Sequence, residues 1–252
     1  MQPDHPDHPD DPNQPNDPNH PNLEGRGRGL YARWLESPDL GEVELERRRL
    51  AAALRKLVVA VVDTSMTVDQ IRRVTASVER EIRSVTESKE TISYGGYRES
   101  ALWGGDPHAQ FELSPVIGRA NPLAPPLDLW ERDGEVHGRV RFSVAYEGPP
   151  GHVHGGYVAA VFDELLGAAQ SLSESPGMTG TLTVRYRRPT PLEVELAMRG
   201  RISRVEGRKI FTVGELRAGD QICAEAEGIF VSIDVARFVE MLSRRRGRSV
   251  TG

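Results

Sequence analysis

Residues 151–167 read GHVHGGYVAAVFDELLG, and the fold that we expect for the chain follows from this segment. Its apolar residues recur at three- and four-residue spacing, which predicts a helix with one buried face. They are Val158, Val161, Phe162, Leu165 and Leu166. A second stripe is made of residues that follow one another at intervals of about one helical turn. Because most of them are small, another segment could approach the backbone closely there. This small-residue stripe consists of Gly156, Ala160, Asp163 and Gly167, and Asp163 is its only charge.

Two features of this helix point to chemistry beyond packing. Gly155 and Gly156 leave the N–H groups of the helix start bare, and such groups can hydrogen-bond an oxyanion or polarise a carbonyl. A carboxylate on an otherwise apolar helix is costly to bury unpaired, so Asp163 should have a partner or a task. A purely structural role, in which Asp163 meets a buried arginine or a helix N-terminus, is the alternative.

The order His154-Gly155-Gly156, followed by Asp163 nine residues after the histidine, resembles the hotdog-fold acyl-CoA thioesterases of the phenylacetate-pathway and THEM4-like type. Downstream matches strengthen the resemblance, which covers about residues 121–234. They are Met178-Thr179, Tyr186-Arg187-Arg188-Pro189 and Val205-Glu206-Gly207-Arg208-Lys209. The resemblance implies an α+β hotdog fold, in which an antiparallel sheet wraps around a central helix. It also implies an acyl-CoA thioesterase that forms homodimers, often paired into homotetramers, with sites at the subunit interface.

The same resemblance implies a role for each matching residue. Asp163 would act as a general base on water or as a nucleophile that forms an anhydride, and the sequence does not separate the two. The amides of Gly155 and Gly156 would form the oxyanion hole. His154 would fix the loop or hydrogen-bond near the carbonyl, and Thr179 matches a residue that positions water.

Other charged and polar residues near these motifs have weaker assignments. By their match to the family, four cations would contact the pantetheine and phosphates of coenzyme A, although an ordinary polar strand face is the alternative. They are Arg185, Arg187, Arg208 and Lys209. His152 is an additional histidine that we expect to be structural. Glu164 is the rival carboxylate, but it lies about 100° around the helix from Asp163.

The spacing along the helix creates a geometric problem for one copy of the chain. Gly155 and Gly156 lie seven to eight residues before Asp163, which corresponds to about 10–12 Å of helix. One helix therefore cannot present both groups to the same carbonyl. Two antiparallel helices related by a two-fold axis would bring Asp163 of one copy to the glycine pair of the other. The sequence thus predicts a dimer with two composite sites.

Composition excludes several functional classes. The chain of 252 residues has one cysteine, Cys223, so neither a disulfide framework nor a CxxC metal site can form. No apolar run is long enough to span a membrane, and the N-terminus lacks the regions of a signal peptide, so we expect a cytoplasmic protein without membrane contact. The net charge of −5 equals the five aspartates of residues 1–22, and nothing indicates nucleic-acid binding. We expect no metal and no cofactor, with coenzyme A present only as part of the substrate.

The chain divides into five predicted segments. They are a disordered proline-repeat tail (1–27), a helical extension (28–90), a loop-rich connector (91–120), the hotdog domain (121–235), and a C-terminal helix with a basic tail (236–252). In the extension, residues 42–62 have helical spacing, and Thr67 with Gln70 resembles a capping box for a second helix that ends near Glu87. We expect these two helices to form a hairpin that lies on the following domain or on the dimer mate.

The hotdog segment has the strand pattern that the resemblance requires. Residues 127–130 and 135–146 alternate around Asp133-Gly134, which predicts a β-hairpin before the central helix. Four further strands are predicted at 179–188, 193–205, 209–217 and 221–233. Two other functions use similar features. A hotdog enoyl-CoA hydratase would act on the same thioester, and a non-catalytic acyl-CoA sensor or assembly domain would bind it without needing a base at Asp163.

Overall fold

The computed structural model describes residues 40–87, 111–173 and 177–232. The predictions for the proline-repeat tail, for most of the connector and for the C-terminal helix with its basic tail lie outside these residues. Within them, six antiparallel strands form one sheet in the order β1-β2-β4-β5-β6-β3. The strands are β1 (Leu127–Arg132), β2 (Glu135–Val140), β3 (Gly177–Tyr186), β4 (Leu196–Glu206), β5 (Lys209–Ala218) and β6 (Gln221–Ser232).

Two helices, α1 (Glu42–Asp63) and α2 (Val68–Glu87), precede the sheet in sequence, and α3 (Gly155–Ser171) lies between β2 and β3 in the chain. The sheet packs against α3, which confirms the hotdog fold. Leu165 and Leu166 of this helix are fully buried. A row of small residues crosses the central strands beneath them, because Gly200 pairs with Gly214 and Gly214 pairs with Ala226. A Cβ atom on Gly200 would come within 2.9 Å of Leu165 Cγ, so the helix sits against the sheet at a distance that only small residues allow.

The β1–β2 hairpin turns at the predicted residues. Asp133 has φ of 54° and Gly134 has φ of 75°, the left-handed conformations of a tight hairpin turn. Strand β2 ends at Val140, however, six residues earlier than predicted, and Val144–Tyr146 form a 3-10 turn. The buried ring of Tyr146 packs edge-on against Phe142 with 5.4 Å between ring centroids. This packing draws the chain out of the sheet and toward the start of α3.

The predicted capping box is confirmed at the start of α2. The Thr67 N–H donates to Gln70 Oε1 at 2.8 Å, and the Gln70 N–H donates to Thr67 Oγ1 at 3.3 Å. Each side chain thus satisfies a backbone donor that the first helical turn would leave unpaired. None of the described helices is both long and apolar enough to cross a membrane.

The hairpin expected from α1 and α2 differs from the observed arrangement. Helix α1 contacts the domain through a polar and small face, where Ala51 is buried and Arg48 pairs with Glu112. Arg55 donates to the backbone carbonyl of Asn121 at 2.8 Å. Helix α2 has no buried residue and no extensive contact with another described element. The apolar stripes used for the prediction stay largely exposed on both helices. In one copy only α1 therefore lies on the domain, and contact with the dimer mate stays a prediction.

Candidate active site

Asp163 lies exposed on the open face of α3, next to the buried residues Phe162 and Leu165. Thr179, at the start of β3, donates a hydrogen bond from Oγ1 to Asp163 Oδ1 at 2.9 Å. Among the described residues, no arginine or lysine pairs with this carboxylate. The purely structural alternative, a salt bridge in the interior, is therefore not what one copy of the chain shows. Glu164, the rival carboxylate, is half-buried on the neighbouring face.

The start of α3 presents two glycine amides in different states. His154 is the N-cap residue, and its Nδ1 accepts a hydrogen bond from the Gly156 N–H at 3.1 Å. For the Gly155 N–H, no acceptor is found in the part of the chain that the structure describes. Gly155 therefore offers a free donor at the positive end of the helix, whereas Gly156 is already engaged.

The loop before α3 is fastened on two sides, which fixes the position of His154. The His154 N–H donates to the Tyr146 carbonyl at 2.9 Å, and the Val153 N–H donates to the Thr190 carbonyl at 2.8 Å. Gly148 packs so closely that a Cβ atom there would lie 2.7 Å from the Cα atom of His154. The backbone, rather than a long side chain, thus holds the histidine at the mouth of the helix.

His152, the additional histidine, lies in the same loop. Its Nδ1 is 2.8 Å from the Pro150 carbonyl oxygen, and the residue is half-buried beside Pro191 in an isolated β-bridge. These contacts are local and hold the loop, and they agree with the structural role that we expected.

Tyr186 belongs to the site, although the sequence provided no role for it. Its hydroxyl donates to the Gly155 carbonyl oxygen at 2.9 Å. Leu182 and Val184, on the same face of β3, pack against the core, so alternation along the strand turns Tyr186 toward α3. This alternation is visible in the sequence, but the residue of α3 that the strand end reaches is not. Tyr157, in the first turn of α3, lies edge-on to Tyr146 at 4.8 Å.

Arg185 and Arg187 alternate with these inward residues, so they lie on the face of the sheet opposite α3. Arg185 forms an ion pair with Glu227, and Arg187 forms one with Glu225 on the adjacent strand. The hydrogen bond that Arg185 donates to the Glu227 carboxylate raises the pKa of Arg185 above its ordinary value, so the guanidinium stays charged. Contacts of both arginines with coenzyme A remain a prediction, and any such contact would compete with the existing carboxylate partners.

Arg208 and Lys209 lie across the sheet from the start of β3, at the end opposite Arg185. Lys209 pairs with Val231, and Val231 pairs with Met178, so the β4–β5 turn lies near Thr179. The Arg208 guanidinium donates to the Ser232 carbonyl at 2.9 Å. Lys209 is exposed and has no ion pair among the described residues. Along β3 this group is about 20 Å from the Arg185 end, so one copy holds two separate groups of cations.

One copy of the chain therefore contains two half-sites on α3. The carboxylate half-site is Asp163 with Thr179, and the amide half-site is His154, Gly155 and Gly156 with Tyr186. They are separated by about eight residues, or about 12 Å of helix. No cluster of metal-ligating side chains is found among the described residues.

The segment that contains these residues matches a known protein family. Residues 150–225 match the family model described as "Thioesterase superfamily". An acyl-coenzyme A thioesterase THEM4 of Xenopus laevis is 36% identical over 89 residues, which are 34% of this chain and 40% of that protein. The Mus musculus protein of the same name is 32% identical over 90 residues, 35% of this chain and 39% of its own. The chain thus spans about 40% of the length of these curated relatives.

A solved structure extends the likeness over more of the molecule. The crystal structure of a protein described as a thioesterase superfamily protein is 34% identical, with a TM-score of 0.65. The match covers 78% of this chain and 97% of the other. The matched part of this chain contains more residues than the sheet and α3 together, so the likeness includes residues outside them. With this identity over nearly the whole of a solved relative, the chain belongs to the thioesterase superfamily.

Proposed function

We propose that the protein hydrolyses an acyl-CoA thioester to a free acid and coenzyme A. The observation that carries this proposal is the exposed Asp163 carboxylate, held by Thr179 on the open face of α3 in a chain of the thioesterase superfamily. The names of the curated relatives, acyl-coenzyme A thioesterases, support the substrate class.

Asp163 would serve the attack on the thioester carbonyl. As a general base it takes a proton from water while the water oxygen bonds to the carbonyl carbon. As a nucleophile it bonds to that carbon itself, and water later cleaves the anhydride. In either route the C–S bond breaks and the thiolate of coenzyme A leaves and is protonated. Because the carboxylate and water perform the chemistry, the proposal needs no metal and no cofactor.

The carbonyl oxygen acquires negative charge in this reaction, and the start of α3 is suited to receive it. The free Gly155 N–H is a donor at the helix N-terminus, where the helix dipole also favours negative charge. The Gly156 N–H would become a second donor if the His154 ring moved away from it. His154 would then lie beside the reacting carbonyl.

The two half-sites require a second copy of the chain. Strand β3 is at the edge of the sheet and has no partner on its outer side among the described residues, and its ends expose Met178 and Tyr186. An exposed edge beside an exposed carboxylate is an unusual surface for an isolated subunit. A two-fold axis along this edge would set α3 against its counterpart in antiparallel orientation, with the small-residue stripe between them. Asp163 of one copy would then face Gly155 of the other.

The same axis would bring together the two groups of cationic residues. It would place the Arg208 and Lys209 end of one copy beside the Arg185 and Arg187 end of the other. Because Arg185 and Arg187 lie on the face of the sheet opposite α3, phosphate groups of coenzyme A would meet these charges beyond the sheet edge from the composite site. Lys209 is the strongest candidate of the four, because among the described residues it has neither a carboxylate nor a carbonyl partner to give up, whereas Arg208 donates to the Ser232 carbonyl. Arg185 and Arg187 would have to bind a phosphate while they are paired with Glu227 and Glu225.

The proposal is tested with purified protein, a panel of acyl-CoA substrates and a thiol reagent. We expect release of free coenzyme A by the wild type and a loss of about 10²–10⁴-fold in turnover for Asp163→Asn. Glu164→Gln is the matched control on the same helix and should retain turnover. A change in enoyl absorbance without thiol release would indicate a hydratase instead. Binding without turnover would indicate a sensor or assembly domain, and either result would end the hydrolase proposal.

A further inference from the structure

The peptide group that joins Gly155 to Gly156 is held at both of its polar ends by side chains. Its carbonyl oxygen accepts a hydrogen bond from the Tyr186 hydroxyl at 2.9 Å. Its N–H donates to His154 Nδ1 at 3.1 Å. The Tyr186 hydroxyl lies only 3.3 Å from the position that a Cβ atom on Gly155 would occupy, so the phenol is in close contact with this backbone.

Such a support matters because the site consists of two glycines in succession. Glycine has no side chain through which neighbouring atoms could restrain its backbone angles. The preceding peptide group is restrained by the helix itself, since the His154 carbonyl accepts from the Tyr157 N–H at 2.9 Å. The Gly155 carbonyl also belongs to the first turn of α3, and Tyr186 and His154 add a side-chain restraint at the two polar ends of the Gly155–Gly156 peptide group. A peptide unit is planar, so a fixed carbonyl also fixes the direction of its N–H.

We propose that Tyr186 is a positioning residue, which orients the glycine amides of the amide half-site through its hydrogen bond to the Gly155 carbonyl. The inference rests on the proposed function, because those amides matter only if they receive the developing oxyanion. Hydrogen bonds along a chain of donors and acceptors strengthen one another, so the Tyr186 contact also makes the Gly156 N–H a better donor. When substrate displaces His154, a polarised and oriented amide remains.

The location of Tyr186 makes this role separable from a role in folding. The residue is 55% exposed, and an exposed hydrogen bond contributes little to the free energy of unfolding. Its backbone is held independently, because Tyr186 pairs with Ala224 in the sheet. Removing the hydroxyl should therefore leave the fold intact and remove only the restraint on the Gly155 carbonyl.

The test compares Tyr186→Phe with Tyr157→Phe, a matched control that loses a hydroxyl near the same helix start. No hydrogen bond from the Tyr157 hydroxyl is found among the described residues. Protein labelled with ¹⁵N-glycine reports the two amides directly by NMR, whether or not the protein turns over substrate. We expect the Gly155 and Gly156 signals to shift in Tyr186→Phe and to stay in place in Tyr157→Phe. Unchanged glycine signals in Tyr186→Phe would overturn the inference.

Kinetics supply the second readout. In a wild type that hydrolyses acyl-CoA, we expect Tyr186→Phe to lower kcat by about 10-fold with little change in KM, because orientation acts on the transition state. This is less than the roughly 10²–10³-fold effect of losing an oxyanion donor outright. An active wild type with an unchanged kcat in Tyr186→Phe would refute the positioning role. An inactive wild type would refute the proposed function alone, and the NMR comparison would still decide whether Tyr186 holds the peptide.

Discussion

Thr179 Oγ1 and Asp163 Oδ1 lie 2.9 Å apart, and this hydrogen bond joins the start of β3 to the middle of α3. The donor engages one carboxylate oxygen and leaves the other, Oδ2, without a protein donor among the described residues. The threonine therefore orients the carboxylate while one of its oxygens stays accessible to water or substrate. This arrangement suits a base or a nucleophile better than a structural ion pair.

The Thr179 hydroxyl should matter for turnover and little for stability. We expect Thr179→Val to lower kcat by about 10- to 100-fold, because a hydrogen bond to a charged group contributes roughly 1.5–3 kcal/mol. Thr179→Ser keeps the hydroxyl and should retain most of the wild-type kcat. Steady-state hydrolysis of the best acyl-CoA substrate measures both. Equal rates for the valine and serine variants would show that the contact with Asp163 has no role in the reaction.

The Gly155 N–H can be removed without breaking the helix. Proline is tolerated at the first helical position, and His154 has φ of −60° and ψ of 130°, which a following proline accepts. We expect Gly155→Pro to lower kcat by roughly 10²–10³-fold, the usual effect of losing an oxyanion donor. Gly155→Ala retains the N–H and is the control, with a far smaller loss expected. A proline variant as active as the alanine variant would exclude Gly155 from the oxyanion hole.

Mixed dimers test whether the two half-sites come from different copies. Asp163→Asn and Gly155→Pro are each expected to be nearly inactive alone. After dissociation and random reassociation, about half of the dimers are mixed and each has one intact composite site, so roughly a quarter of wild-type activity should return. Each variant treated alone provides the baseline. If mixing restores nothing although mixed dimers form, both half-sites act within one copy.

The small-residue stripe of α3 should be the contact surface between the copies. We expect Ala160→Glu to yield a folded monomer with little thioesterase activity, because a large charged side chain would block the approach of the second helix. Ala76→Glu, at an exposed position of α2, controls for an added charge on a helix. Light scattering gives the mass of each variant. A fully dimeric and active Ala160→Glu protein would place the interface elsewhere.

The Arg48–Glu112 pair should hold α1 on the domain. Glu112 is buried, and Arg48 Nε donates to it at 2.9 Å, so Arg48→Ala leaves a buried carboxylate unpaired. We expect the free energy of unfolding to fall by about 3 kcal/mol. Arg49→Ala removes an exposed pair with Glu46 on the same helix and should change it by less than about 1 kcal/mol. Chemical denaturation at one fixed protein concentration compares them, and equal values would assign the attachment of α1 to other contacts.

Much of the fold was predictable because its signals are local. Helix α3 follows from apolar spacing, the hairpin turn from Asp133-Gly134, and the capping box from Thr67 and Gln70. The end of β2 was placed too late, because alternation continues past Val140 while the packing of Tyr146 draws the chain out of the sheet. The face on which α1 contacts the domain could not be predicted from its apolar spacing. Its largest apolar stripe stays exposed, whereas Ala51 and two arginines make the contact.

Local patterns are enough to predict the order of the elements, the central helix, and the separation of the glycine amides from Asp163, since each depends on residues close together in the chain. Three contacts, by contrast, arise from the folding of distant segments onto one another: Thr179 reaches Asp163, Tyr186 reaches the Gly155 carbonyl, and Arg185 faces away from α3 toward Glu227. Tyr186 and Gly155 are 31 residues apart. Their contact depends on the register of β3 and on how closely the sheet's small residues let α3 approach. A local sequence pattern cannot predict it.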